Sequence, residues 1–338
     1  MKRNIVSIDA VSNNQNDFSR ALSQYSGLSW EIFSLVSNYK QKDKGTELKR
    51  YLKYVQAGWH LFIERKSISN LIAWQQFHGI FFAFFSHLFG VKKRTNLIIM
   101  TLIYKRKAGV AGSLYENFMK YALTGKYVDH IVCFSENEIN IYSKLFNIPL
   151  SKFSYVRVAA NPINGINYNY QEPKFIFSAG YSHRDFKFLI NAIKGTEYKL
   201  VIADDRVEDP NLPNVVIKRR CYGDDMLNEL GKSYVFINPL KDETISAGQL
   251  MTISAMQLHK PTISTYSEGM KPYLLDGVTG FFVKKSKDEL LEKLDLLYNN
   301  EQLYIKMCED AYRYGENQFS WNRLAKDVCK ISKCNNIF

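Results

Sequence analysis

The stretch YVFINPLKDETISAGQLMTISAMQLHKPTISTY, residues 234–266, sets an apolar strand, a loop of small residues and a helix in succession. Ala247 and Gly248 precede a helix that begins near Gln249 and Leu250. Backbone N–H groups at such a start lack intrahelical acceptors, and small side chains leave them open to a phosphate. A second set of reactive types stands where strands hand over to helices. WQQFHGIFF puts His78 just past one strand, Asp9 closes NIVSI, and Glu64 closes HLFIE. A side chain at such a place can take a proton from a hydroxyl. For a lone histidine, the alternative is a structural role in the core. Asn14 and Gln15, in the loop SNNQND, stand near enough to the first strand's end to reach a phosphate or to cap the next helix.

Positioning these residues requires a regular frame, and the apolar periodicity supplies one. Strands are expected at 4–8, 30–35, 60–64, 70–74, 96–102, 130–134 and 153–158, with helical stretches between most of them. AANPINGINYNYQEP, 159–173, sustains neither period and reads as a linker. Alternation restarts with strands at 174–180, 198–204, 214–219, 234–239, 261–266 and 279–283, and the chain is helical from Lys285 onward. The expectation is an α/β protein of two doubly wound, Rossmann-like domains, with ligands in a central cleft at the carboxyl ends of the strands. The divisions are 1–158, the linker 159–173, 174–318, and a last helix over 319–338 that is free to pack back on the first domain.

The second half resembles the donor-binding domain of GT-B glycosyltransferases, above all the large retaining family that builds bacterial polysaccharides. Ala255-Met256, Pro261 and the turn Asp276-Gly277-Val278-Thr279-Gly280 match that family's signature. Its two glutamates, eight positions apart, correspond here to Ser246 and Ser254. The resemblance implies that position 246 approaches the donor sugar and position 254 the ribose hydroxyls. A serine hydrogen-bonds a hydroxyl but contributes no charge, and Asp242 or Glu243 is a nearby carboxylate that could substitute. KFIFSAGYSHRDFKFLINAI matches the family's opening strand, turn and helix, which makes Arg184, then Lys187, the diphosphate ligands. An Arg fork with helix N–H groups stabilises a leaving diphosphate without a metal. Arg219, in the basic run 218–220, falls where the family's backbone meets the nucleobase.

The resemblance thus implies transfer of a sugar from a nucleotide-diphosphate donor, a UDP-sugar first, to a lipid-linked or polysaccharide acceptor. Retention is implied, with His78 or Asp9 as general base if the chemistry is instead inverting. No cofactor and no metal are expected, and no Asp-x-Asp occurs in the chain. The two serines leave a second reading open: a non-catalytic relative that binds a sugar nucleotide or partners an active transferase.

Charge adds a partner. Residues 1–160 hold 22 Lys and Arg against 10 Asp and Glu, while the remainder is balanced at 23 each. A basic first half suits an anionic membrane surface. Without a known stacking motif among the basic residues, nucleic acid is not expected. LIAWQQFHGIFFAFFSHLFGV, 71–91, is apolar but breaks into a strand, a turn and a helix of about 12 residues, too short to span a bilayer. That helix, followed by Lys92-Lys93-Arg94, suits either a packed core or a membrane interface. Five scattered cysteines and a polar start, MKRNIVSIDA, lead to a cytoplasmic expectation, at the inner face of the cell membrane if attached.

Overall fold

The computed structural model describes residues 2–11, 16–36, 44–104, 106–241 and 247–331. Asn14, Gln15, Asp242, Glu243 and Ser246 lie outside the described residues. The chain forms two units, Met1–Val156 with Trp321–Phe338, and Arg157–Ser320.

In the first unit the elements run β1 (Arg3–Ile8), α1 (Asp17–Ser26), β2 (Trp30–Ser34), α2 (Lys44–Ile63), β3 (Ile68–Ala73), α3 (Gln76–Leu88), β4 (Asn96–Ile99), α4 (Gly109–Thr124), β5 (His130–Cys133), α5 (Glu136–Phe146) and β6 (Phe153–Tyr155). The six strands are parallel in the order β2-β1-β3-β4-β5-β6. Buried from both faces, they read as near-continuous apolar runs such as NLII and HIVC. The α1 start is fixed by a capping box: Asn16 accepts from the Ser19 backbone N–H, and the Ser19 hydroxyl accepts from that of Asn16.

One expected strand is absent. HLFIE, 60–64, is the last turn of α2 and the start of a short 3-10 turn, Glu64–Lys66. Tyr54, Ala57 and Leu61 recur at helical spacing on the buried side of α2, so the apolar run belongs to a helix face. Glu64 therefore lies beside the amino ends of the strands, paired with Arg3 of β1 and, at 3.3 Å, with His60. It is removed from any site at the carboxyl ends.

The second unit runs β7 (Phe175–Ala179), α6 (Phe186–Ile193), β8 (Lys199–Ala203), β9 (Val215–Lys218), α7 (Asp224–Lys232), β10 (Val235–Asn238), α8 (Gln249–Gln257), β11 (Thr262–Thr265), β12 (Gly280–Val283), α9 (Lys287–Asn299) and α10 (Glu301–Gln318). Its six parallel strands follow the order β12-β11-β10-β7-β8-β9. After α10 the chain returns to the first unit as α11 (Trp321–Ile331), which packs on α1 through an apolar face that includes Leu324, Ala325 and Val328. Each sheet reverses its winding at one place, between β1 and β3 in the first and between β7 and β10 in the second. Loops diverge there, and ligands bind at such points in open α/β sheets.

Candidate functional site

Both reversal points carry a cavity. In the first unit a cavity of about 560 Å³ opens at the carboxyl ends of β1, β3 and β4. Asp9 follows β1 directly and receives a hydrogen bond from the Tyr54 hydroxyl at 3.3 Å. Gln75 donates to the same hydroxyl at 3.3 Å, while its side-chain oxygen caps α3 by accepting from Phe77 N at 3.2 Å. Capping thus fixes the amide that faces the cavity. Opposite this polar edge, Phe18, Trp74 and Trp321 form an aromatic cluster with ring centroids 5.1 to 5.8 Å apart. Aromatic faces beside a carboxylate and an amide suit a ligand with apolar C–H faces and hydroxyl edges.

His78 stands in the first turn of α3, at the strand-to-helix handover, but it lies beneath the cavity and does not line it. It is fully buried, its Nδ1 is 2.9 Å from the Ser7 hydroxyl, and its Nε2 has no hydrogen-bond partner among the described residues. Burial drives its pKa down to about 4 against a smaller upward pull from Asp9, so the ring is neutral at pH 7. The unfolded chain takes up a proton below about 6.5, while the folded chain does so only near 4. Stability tied to this ring is therefore complete above pH 6.5 and is lost as pH falls towards 4. Between pH 7 and 4.5 the loss should be about 2.5 kcal/mol. Urea unfolding of the wild type and of His78→Gln at both values measures it; an equal fall in both proteins excludes this assignment.

In the second unit a cavity of about 660 Å³ is bordered by Arg184, Lys187, Asp204, Arg206 and Lys241. The loop after β7 is stitched to the loop after β10: Asp185 N donates to Pro239 O at 2.7 Å, and Lys241 N to His183 O at 2.9 Å. Arg184, held between them, is buried, with Nε donating to Ala179 O at 3.1 Å and Nη1 to Ser182 O at 2.7 Å. Gly180, at φ +124°, makes this possible, because a Cβ there would overlap the guanidinium. Burial first and Arg206 second lower the Arg184 pKa to about 10, with Asp204 opposing, so it remains a cation at pH 7. Arg206 pairs with Asp204 and stacks 3.8 Å from the centroid of the Tyr181 ring.

Beside the β10 end, α8 begins at Gly248, whose φ of +93° turns the chain into the helix. A Cβ on Gly248 would overlap the Asn238 amide, which is wholly buried and has no hydrogen-bond partner among the described residues for either its nitrogen or its oxygen. Thr252 N to Gly248 O, at 3.1 Å, marks where the α8 ladder starts, with the Ala247, Gly248, Gln249 and Leu250 amides at its entrance. Ser254 is half-buried one turn along. Arg219 takes a different part: its guanidinium donates to Asp205 O at 2.6 Å and Val207 O at 2.8 Å, bracing the loop after β8.

Thus the structure groups Arg184 with Lys187, and separately Gly248 with the α8 start. Asp9 joins residues that local sequence did not single out: Tyr54, Gln75, Trp74 and Trp321. Arg206, three residues past β8, carried the same strand-end signal as Arg184. No local signal could have placed Trp321, which arrives from the far end of the chain.

Known proteins resemble this chain in sequence and in fold. Residues 172–300 match the family described as glycosyl transferases group 1. An uncharacterized glycosyltransferase, MJ1178, of Methanocaldococcus jannaschii is 25% identical over 231 residues, covering 63% of this chain and 61% of that protein. The capsular polysaccharide biosynthesis glycosyltransferase CapM of Staphylococcus aureus is 29% identical over 157 residues, or 46% and 39% of the two chains. The match therefore spans less than two thirds of either relative. Among solved structures, Alr3699/HepE of Anabaena in complex with UDP superimposes with a TM-score of 0.63 at 10% identity, over 98% of this chain and 99% of that one.

Proposed function

We propose, from the match of residues 172–300 to the group 1 glycosyl transferases and from the GT-B fold, a transferase that moves a sugar from a nucleotide diphosphate, UDP first, to a lipid-linked or glycan acceptor in cell-surface glycan synthesis. The observation that carries this reading is Arg184, a buried cation at the reversal point of the second sheet, where the loop after β7 is hydrogen-bonded to the loop after β10. The product direction is suggested by the capsular role in the name of the CapM relative.

In this reading Arg184 and Lys187 take the diphosphate, the N–H groups at 247–250 share its charge, and Ser254 bonds a ribose hydroxyl. The bond from the sugar's anomeric carbon to the phosphate oxygen breaks, and one to the acceptor oxygen forms. With retention, the acceptor proton passes to the departing diphosphate on the same face. Arg184 lowers the barrier because the charge it meets grows as the bond breaks. Asp9, held by Tyr54 in the first cavity, orients the acceptor hydroxyl and is the base for an inverting course. His78, neutral and buried, supports the end of β1 through Ser7.

The test is thermal unfolding with UDP, GDP, ADP and CMP. A ligand at about 100 times its Kd stabilises by about 2.7 kcal/mol. A selective shift with UDP is expected, and no shift with any of the four returns the chain to the non-catalytic reading. Ser254→Ala should raise the donor KM several-fold, about 1 kcal/mol, with kcat nearly unchanged. An unchanged KM places the ribose contact elsewhere.

A further inference from the structure

The outer face of the α2–α3–α4 layer is unusual for a soluble surface. Along α2, Leu52, Trp59 and Ile63 are 60, 41 and 56% exposed; at the end of α3, Leu88 and Phe89 are 56 and 55% exposed. These residues form one patch, since Trp59 lies 5.0 Å from Phe85 and 5.9 Å from Phe89 between ring centroids, and Phe62 lies 5.4 Å from Phe89. The half-buried rings of Phe81 and Phe84 continue it to Phe118 of α4, at 5.1 and 5.2 Å, and Leu114 of α4 is 65% exposed. Single exposed apolar side chains are ordinary, but a joined set this long marks a contact surface.

Charge identifies the occupant. Residues 44–126 contain fourteen Lys and Arg against three Glu, so this layer carries nearly all of the chain's excess of +12. Lys49, Lys66, Lys92, Lys120 and Lys126 are exposed on these helices or just past their ends. Arg65 lies over the Phe62 ring at 4.3 Å, and Lys107 lies 5.7 Å from that of Tyr51. An apolar aromatic face rimmed by long cationic side chains matches the boundary of an anionic bilayer: rings enter the acyl edge, and Lys and Arg reach the headgroups. No described helix is long and apolar enough to cross a membrane, so the contact is one of lying on the surface.

We propose that this face of the first unit, centred on Leu52, Trp59, Leu88 and Phe89, rests on an anionic lipid surface. Arg50 and Tyr54, on α2 itself, line the first cavity, so docking brings the cavity to the bilayer where a lipid-borne acceptor is presented. That consequence rests on the transferase reading; the contact does not.

The experiment is co-sedimentation of the full chain with vesicles of phosphatidylglycerol and phosphatidylcholine, and of phosphatidylcholine alone. Binding to the mixed vesicles is expected, with loss at high salt and weak binding to the neutral ones. Each cation at such a surface strengthens binding by about fivefold. A Lys49→Glu, Lys66→Glu, Lys92→Glu, Lys120→Glu variant should therefore lose binding by more than 10²-fold while keeping its melting temperature. Leu52→Glu with Phe89→Glu should lose it by at least tenfold, roughly the cost of removing two buried apolar side chains. A wild-type chain left in the supernatant overturns the proposal, as does undiminished binding of both variants. So does a lipid-independent dimer that the same substitutions dissolve, since the face would then belong to a second copy. UDP-induced stabilisation, measured on the same variants, should not change, which keeps failure at this face distinct from failure of the donor site.

Discussion

Arg184→Ala should lower turnover by about 10²–10³-fold, the usual consequence of removing one donor aimed at developing charge. It should also abolish most of the thermal response to UDP. Two losses coincide in this variant. In the proposed role the diphosphate loses its cation, and in any role the carbonyls of Ala179 and Ser182 lose the donors that now satisfy them. The second loss costs stability of about 1–3 kcal/mol whatever the function. Arg184→Lys separates the two, because an ammonium keeps the charge but cannot span two carbonyls and a phosphate as a planar fork does. Partial recovery of turnover without recovery of melting temperature is expected. Wild-type turnover in Arg184→Ala, at a temperature where it is folded, would show that the diphosphate lies elsewhere.

The second large effect is structural and falls on the turn 276–280. Gly277 and Gly280 both have positive φ, 73° and 157°. Nothing lies within 4 Å of a Cβ built on Gly277, but one on Gly280 would run into the backbone carbonyl of Thr262. That carbonyl belongs to β11, against which β12 pairs in register Thr262 to Gly280. Gly277→Ala should thus cost only the left-handed penalty of about 1–2 kcal/mol. Gly280→Ala adds a backbone collision and should cost roughly 3–5 kcal/mol, separating the edge strand from its sheet. Urea midpoints of the two variants check this. Equal midpoints would mean that β12 can shift to accept the methyl group.

These cases show how far the sequence is legible. The twelve strands of the described residues announce themselves as short apolar runs, because a parallel sheet covered on both faces has no polar side to break the run. The same property makes HLFIE deceptive, since five apolar-rich residues do not distinguish a strand from the buried side of a helix such as α2. Arg184, Gly248 and the turn at 276–280 can be placed from local order, each standing next to a strand end. Tyr54 and Trp321 cannot, because the cavity gathers them from a helix mid-face and from a distant segment. His78 is legible by position only. Its burial against Ser7 is set by how α3 lies on the sheet, and no local pattern encodes that.

The return of α11 to the first unit bears on how the molecule comes into being. Synthesis runs from the amino end at about 5–20 residues per second, and domains generally close as their segments emerge. Here Met1–Val156 leaves the ribosome with α1 still lacking the helix that covers it, and Arg157–Ser320 can complete itself first. Trp321, which meets Phe18 and Trp74 in the first cavity, arrives only afterwards. The earlier-made unit is therefore the later to mature. A chain stopped at Ser320 would carry a finished second unit and a nascent first unit whose aromatic wall lacks Trp321.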